Sequence, residues 1–169
     1  MNFKIIVAVD KNFGIGLKNS LPWKFKSDMH FFREMTIGDK NNAVVMGKNT
    51  YLSIGKNLPH RENLILSTSM DVNTENINVF RSIDSLCDYC KTKHFDSIWV
   101  IGGADIYKQF LDLDLINIIH ITEIDSIYNC DTFFPNIFDN YFMSQNSYEK
   151  IENNIKLKFK KYYKKITNK

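Results

Sequence analysis

Apolar residues in this chain come first in short unbroken runs and later in alternation, and that change of pattern sets the expected fold. Lys4–Val9 and Ser97–Ile101 read as strands covered on both faces, as in a parallel sheet. Ala43–Met46 and Asn63–Leu66 are shorter runs of the same kind, and Ile77–Phe80 is a weaker one. Helical spacing is expected between them, over about Lys24–Thr36, Thr50–Ile54, Ile83–Lys91 and Ala104–Phe110. From Ile116 onward the chain reads as strand after strand: Ile116–Ile124, Tyr141–Ile151 and Ile155–Tyr163. The last two flank Glu152-Asn153-Asn154, a hairpin-turn signal. This predicts an α/β fold with one mixed, mostly parallel central sheet of about eight strands, flanking helices and a C-terminal antiparallel hairpin. No linker, repeat or low-complexity segment divides residues 1–169, so a single domain is expected.

Composition changes this picture little. Hydrophobic residues make up 44% and charged residues 24%, the mix of a folded soluble protein. No apolar run reaches the roughly 18 residues of a membrane span, and the N-terminus lacks a secretory pattern, so a cytoplasmic location is expected. The net charge of +3 conceals an uneven distribution, net +7 over residues 150–169 and net −4 over residues 1–149. Such a tail can bind polyanions. Yet Ile155–Lys160 alternates apolar and basic residues, the pattern of a half-buried strand with a wet face, so neither nucleic acid nor membrane is expected as a partner. Cys87 and Cys90 have redox-motif spacing but fall on one face of an expected helix, and no second pair completes a zinc site. No metal is expected.

Four segments could carry chemistry. Asp10–Pro22, with Gly14 and Gly16, follows the first buried strand at the end where ligands bind in α/β sheets, and it could act as a lid. Asp28 shares a helix face with Phe32 and stands near Met29 and Met35. It is either a solvent-facing acid at a helix start or a carboxylate in an apolar pocket. In a pocket its proton affinity would rise, suiting it to the ring N–H and adjacent amino group of a protonatable heterocycle. Ile101-Gly102-Gly103-Ala104 is a strand-to-helix turn that could bring backbone up to a phosphate or simply turn tightly; it lacks the G-x-G-x-x-G pattern. Lys48, in Met46-Gly47-Lys48-Asn49-Thr50, could join Thr68 and Ser69, in Leu66-Ser67-Thr68-Ser69, around a further phosphate, or these are an ordinary turn and cap. Arg61, in Leu58-Pro59-His60-Arg61, is one of three arginines against nineteen lysines. It suits bidentate carboxylate recognition or a surface ion pair.

In order and spacing the whole chain resembles the dihydrofolate reductase family, of the monofunctional, bacterial type. The resemblance rests on Ile6-Val7-Ala8, Gly14-Ile15-Gly16, Leu21-Pro22-Trp23, Asp28, Phe32, Met46–Thr50, Ser53-Ile54-Gly55, Leu58-Pro59, Arg61, Ile101-Gly102-Gly103, Tyr107, Thr122 and Asp131–Pro135. It implies that fold, NADPH as cofactor, and reduction of dihydrofolate to tetrahydrofolate by a monomer that also takes folate-site antifolates. It further implies that Asp28 is the sole ionisable group of the pterin pocket, hydrogen-bonded to Thr122, with Trp23 holding a water nearby. Ile6, Val7, Ala8, Met29, Phe32, Ile54, Leu58 and Ile101 would line the substrate, and Arg61 would grip its glutamate α-carboxylate. Ala8, Ile15, Gly16, Leu21 and Tyr107 would meet the nicotinamide end. Gly102, Gly103 and Ala104 would meet the pyrophosphate, with Ile101 and Ile106 also on the cofactor and Asp105 near its adenosine end. Gly47, Asn49, Leu66 and Ser67 would also contact the cofactor, with Thr50 hydrogen-bonding a phosphate and Lys48, Thr68 and Ser69 facing the 2′-phosphate. Ala104 departs from the family's usual glycine, Lys48 from its usual arginine and His60 from its usual glycine; Asp105 replaces a residue basic in some relatives. Two rival readings are a same-fold pyrimidine reductase of riboflavin synthesis, which Asp28 and Arg61 oppose, and a non-enzymatic basic-tailed nucleic-acid binder.

Overall fold

The strands expected to be covered on both faces do lie at the middle of the sheet. A computed structural model describes residues 1–71 and 77–166. In it β1 (Phe3–Val9) pairs in parallel with β6 (Ile98–Val100) on one side and β7 (Ile116–Ile124) on the other. Beyond β6 follow β3 (Ala43–Gly47), β4 (Glu62–Leu66) and β5 (Asn78–Phe80), all parallel. Beyond β7 the sheet turns antiparallel through β11 (Ile155–Lys164) and β10 (Tyr148–Glu152), giving the path β10-β11-β7-β1-β6-β3-β4-β5.

The period of two along β1 sorts its side chains between two cores. Ile5 faces α3 (Ile83–Thr92) and α4 (Ala104–Asp112), among Val45, Leu64, Leu86, Phe110 and Ile121. Ile6 faces α1 (Lys26–Ile37) and α2 (Lys48–Ile54), among Val44, Ile65, Trp99, Phe32 and Met35. Fully burying each such aliphatic side chain stabilises the fold by about 1.5–3 kcal/mol. Cys87 and Cys90 lie buried on the inner face of α3, which Ser82 and Ser85 cap reciprocally, and both are free thiols.

Some boundaries differ from expectation for identifiable reasons. α1 starts at Lys26 rather than Lys24, because Phe25 is extended (φ −119, ψ 125) and buried with Trp23 against Leu157 and Phe159. α2 starts at Lys48 rather than Thr50, directly after β3. The single strand expected over Tyr141–Ile151 is two: β9 (Tyr141–Met143) and β10 pair with opposite ends of the ten-residue β11. Asp10–Pro22 is also more ordered than its lack of periodicity suggested. Its β2 (Gly14–Gly16) pairs with β8 (Thr132–Phe133), and Leu17 and Ser20 exchange two backbone hydrogen bonds of 2.9 Å around a tight turn. Asp10 fixes the base of this segment, its carboxylate accepting from the N–H groups of Asn12, Gly14 and Tyr128.

The basic tail is a strand with a wet face, as its alternation implied. Leu157 and Phe159 are buried, while Lys156, Lys160 and Lys164 pair with Glu149, Glu123 and Asp114. Of that tail, residues 167–169 lie outside the described residues. Among the described residues no helix is long and apolar enough to cross a membrane, and no cluster of ligating side chains could hold a metal.

One buried histidine makes the fold sensitive to acid. His120 packs between Trp99 and Phe31, and burial, then Lys161 and Lys4, lower its pKa to about 4. The unfolded chain, at about 6.5, then binds the extra proton first. Stability is therefore complete above about pH 6.5 and falls as the pH drops toward 4. This histidine alone should remove about 2 kcal/mol between pH 7 and 5. Chemical denaturation of His120→Leu beside the parent checks it: the parent's slope across that window should flatten, and parallel slopes would exclude the cause.

Candidate active site

Three parallel strands, β1, β6 and β3, end at one rim of the sheet, and the chain leaves each through a different kind of turn. Between these turns, α1 and α2 lies a cleft of about 970 Å³. Such strand ends are where backbone groups and helix N-termini become available to a ligand.

The apolar arm is built from β1, α1 and α2. Ile6, Val7, Ala8, Met29, Phe32, Ile54, Leu58 and Ile101 all line it, together with Asp28. Of the two carboxylates on the cleft wall, Asp105 is exposed at the rim and Asp28 is withdrawn. Burial raises the Asp28 pKa, the nearby Thr122 hydroxyl opposes the rise, and the charge of Glu152 adds to it. Asp28 thus stands half-buried on the wall of the apolar arm.

Trp23, Thr122 and Arg61 stand behind the wall rather than on it. Thr122 lies on β7 directly across from Ala8 and is 1% exposed. Its hydroxyl is near enough to act on the Asp28 carboxyl, yet no hydrogen bond of good geometry joins them, and Oγ1 has no other partner among the described residues. Trp23 packs in the cluster that includes Ala8, its ring 5.0 Å from that of Tyr128, and its Nε1 is likewise buried without a partner. Two unpartnered polar atoms in the neighbourhood of Ala8 fit a polar ligand or a bound water, because leaving such groups unsatisfied costs about 1–3 kcal/mol each. Arg61 is half-buried beside Phe32, its guanidinium carbon 5.9 Å from the ring. Its Nε donates to Pro59 O at 3.0 Å and its Nη1 to Thr36 Oγ1 at 2.5 Å.

The polar arm is made of turns. At Gly102 (φ +120) the chain adopts a conformation that side chains resist, and the Gly102–Gly103 peptide is cis. An added Cβ there would stand 3.3 Å from Tyr107 Oη, which itself donates to Ile6 O at 3.1 Å. The Gly47 N–H donates to Gly102 O at 2.8 Å, so the β3 and β6 turns are locked together. Ala104, Asp105, Ile106 and Tyr107 follow on α4, whose N-cap Gly103 leaves the first N–H groups without a side-chain cap. Asn49 and Thr50 line the cleft from α2, and Leu66, Ser67 and Thr68 line it from the end of β4. Lys48 Nζ donates to Ser69 Oγ at 3.1 Å, bringing the expected cation and hydroxyl together. Ile15, Gly16 and Leu21 close the cleft from the Asp10–Pro22 side.

Several wall residues were not anticipated from sequence. Asn19, Ser20 and Thr132 belong to the β2–β8 side, and Ser53 and Gln109 to helix faces. Arg81, with Ser82 and Ile83, matters most: its Nη1 donates to Ser67 O at 2.7 Å, placing a second cation on the rim that holds Lys48 and Ser69. Its position after β5, at the same rim of the sheet, was the available signal.

A half-buried carboxyl in an apolar arm and glycine turns in a polar arm narrow the possible relatives, and comparison with known proteins decides among them. A sequence profile described as dihydrofolate reductase matches residues 2–164. The chain belongs to the dihydrofolate reductase family. It is similar to the bifunctional dihydrofolate reductase-thymidylate synthase 2 of Arabidopsis thaliana, 40% identical over 149 residues, which are 80% of this chain and 26% of that protein. It thus spans about a quarter of that relative's length. It is also 33% identical over 151 residues to the dihydrofolate reductase of Drosophila melanogaster, with 83% of each chain covered. A solved dihydrofolate reductase from Enterococcus faecalis, complexed with NADP(H) and RAB-propyl, superposes with a TM-score of 0.85 over 96% of each chain. At 24% identity that likeness speaks to the fold. The relatives of higher identity include plant and insect members of the family.

Proposed function

We propose that this chain reduces 7,8-dihydrofolate to 5,6,7,8-tetrahydrofolate with NADPH, supplying one-carbon carriers for thymidylate and purine synthesis. The reading is of a single reductase domain acting as a cytoplasmic monomer. The observation that carries it is Asp28, a carboxyl withdrawn into the apolar arm of a cleft whose other arm is built from glycine turns and cations.

Bound NADPH supplies the hydride for pterin C6. The chain's own task is to bind, orient and exclude water. The Asp28 oxygens accept from the pterin ring N–H and its 2-amino group, and their negative charge raises the proton affinity of the bound ring. Thr122 Oγ1 and Trp23 Nε1 gain partners in that arrangement, the tryptophan through a water. The proton for N5 comes from a water admitted past Ile15 and Leu21, since Asp28 holds the far edge of the ring. Arg61, fixed by Thr36 and Pro59, meets the glutamate α-carboxylate at the Phe32 side. Antifolates with a protonatable diamino edge fit the same carboxyl. Gly102, Gly103 and the start of α4 receive the pyrophosphate.

Lys48, Ser69 and Arg81 give the rim a place for the 2′-phosphate. Lys48→Ala should raise the KM for NADPH about tenfold, the worth of one charge-assisted hydrogen bond, and leave that for NADH nearly unchanged. Parallel steady-state assays with the two cofactors check this, and equal effects on both would move the phosphate elsewhere. The reading as a whole is tested by following NADPH oxidation with dihydrofolate and, separately, with the pyrimidine intermediate of riboflavin synthesis. Turnover of dihydrofolate alone supports it, and turnover of the pyrimidine alone overturns it.

A further inference from the structure

The start of α1 is capped from far away. Its N-cap residue, Phe25, offers no polar side chain, so the first N–H groups of the helix need an outside acceptor. Glu152, at the tip of the β10–β11 hairpin, supplies it: Oε1 accepts from Lys26 N at 2.8 Å and Oε2 from Ser27 N at 2.9 Å. The tip itself is sharply defined, because Asn153 (φ 53) and Asn154 (φ 62) are both left-handed, as a two-residue hairpin turn requires. The hairpin is also packed against the helix. The Phe31 ring lies 4.9 Å from Phe159 and 6.3 Å from Tyr148, and the last two are stacked. Asp28 is the next residue after the two N–H groups that Glu152 binds.

We propose that Glu152 is a positioning residue for Asp28: by capping α1 it sets where that carboxyl stands, and its own charge acts on it from outside the cleft. This rests on the reading of Asp28 as the pterin anchor. The hydrogen bonds from Ser27, the backbone N–H first, hold the Glu152 carboxyl below its usual range, so it stays ionised while Asp28 titrates. Its repulsion joins burial in raising the proton affinity of Asp28. A negative charge at a helix N-terminus also favours the helix dipole, so the two roles do not compete. Glu152 thereby couples the hairpin to the proton affinity of the site without touching a ligand.

Glu152→Gln keeps the size and one acceptor oxygen and removes the charge; Glu152→Ala removes both. In the ligand-free proteins, carbon-13 NMR of the Asp28 carboxyl should show its titration midpoint moving to lower pH in both variants. The pH at which dihydrofolate turnover declines should fall with it. Glu152→Ala should also raise the KM for dihydrofolate about threefold or more, with NADPH little affected, and Glu152→Gln, which keeps one acceptor, should recover part of that loss. An Asp28 midpoint and pH profile identical to the parent's, with only the melting temperature lowered, would overturn the proposal. Should Glu152→Ala not fold, Glu152→Gln decides alone. Should the parent not turn over dihydrofolate, the function reading fails, while the ligand-free titration still decides the role of Glu152.

Discussion

Asp28→Asn is expected to lower dihydrofolate turnover at pH 7 by about 100-fold or more and to leave the affinity for NADPH within about twofold of the parent's. Asparagine has nearly the same shape, so the loss isolates charge and hydrogen-bonding sense. The amide can turn only one acceptor toward the pterin and sets an N–H₂ against a ring N–H or amino group, leaving a donor unsatisfied. It also lacks the negative charge that draws a proton onto the ring. Acidic conditions should restore part of the activity, because the substrate then arrives protonated. The cofactor is expected to be spared because the turns proposed to hold it, at Gly47, Gly102 and Ser67–Ser69, belong to other elements.

The same variant should be no less stable than the parent at neutral pH. Burial raises the Asp28 pKa in the folded state, so the native protein holds that proton to higher pH than the unfolded chain does. Stability is present below the unfolded value and is lost as pH rises through the folded one. Removing the carboxyl removes that cost. Denaturation curves and a single-turnover assay on one preparation thus separate lost chemistry from lost structure, and parent-like turnover at pH 7 would remove Asp28 from its role.

Gly102→Ala is expected to have the second large effect. Its φ of +120 is strained for any side chain, and the new Cβ would press on Tyr107 at 3.3 Å from Oη and 3.4 Å from Cε2 and Cζ. Tyr107 is buried and tied to Ile6 O, so it has little room to yield. A cost of about 2–3 kcal/mol follows from backbone strain and crowding together. Because Gly102 O also binds the Gly47 N–H, the shift should reach both turns proposed to hold the cofactor and weaken NADPH binding about tenfold or more. Thermal melting and cofactor titration read the two effects, and a variant matching the parent in both would show that the turn tolerates a side chain.

What the sequence made legible follows from the range of each interaction. Unbroken apolar runs such as Ile5–Val9 and Val44–Met46 carry their own burial on both faces, so the order of strands and helices could be read locally. The residues alone left Lys48 and Ser69 open between a phosphate site and an ordinary turn, the family resemblance set them together, and the fold does join them at 3.1 Å. Features fixed by distant partners were not readable in this way. The start of α1 depends on a glutamate 126 residues from Lys26, and nothing near Phe25 announces it. The break between β9 and β10 reflects the length of β11, the strand they share. Arg81 carried no local signature, and only its place at the common rim of strand ends reveals its proximity to Ser67. Asp28 lies between these cases: spacing placed it on the right helix face, but only the sheet beneath it made that face a pocket.

Transfer of isotope tests the proposed reaction most directly. With NADPH carrying two deuterium atoms at nicotinamide C4, mass spectrometry of the folate product from a single turnover should find one deuterium, at C6 of tetrahydrofolate. Product without the label, or NADPH oxidised while dihydrofolate stays unchanged, would contradict the account.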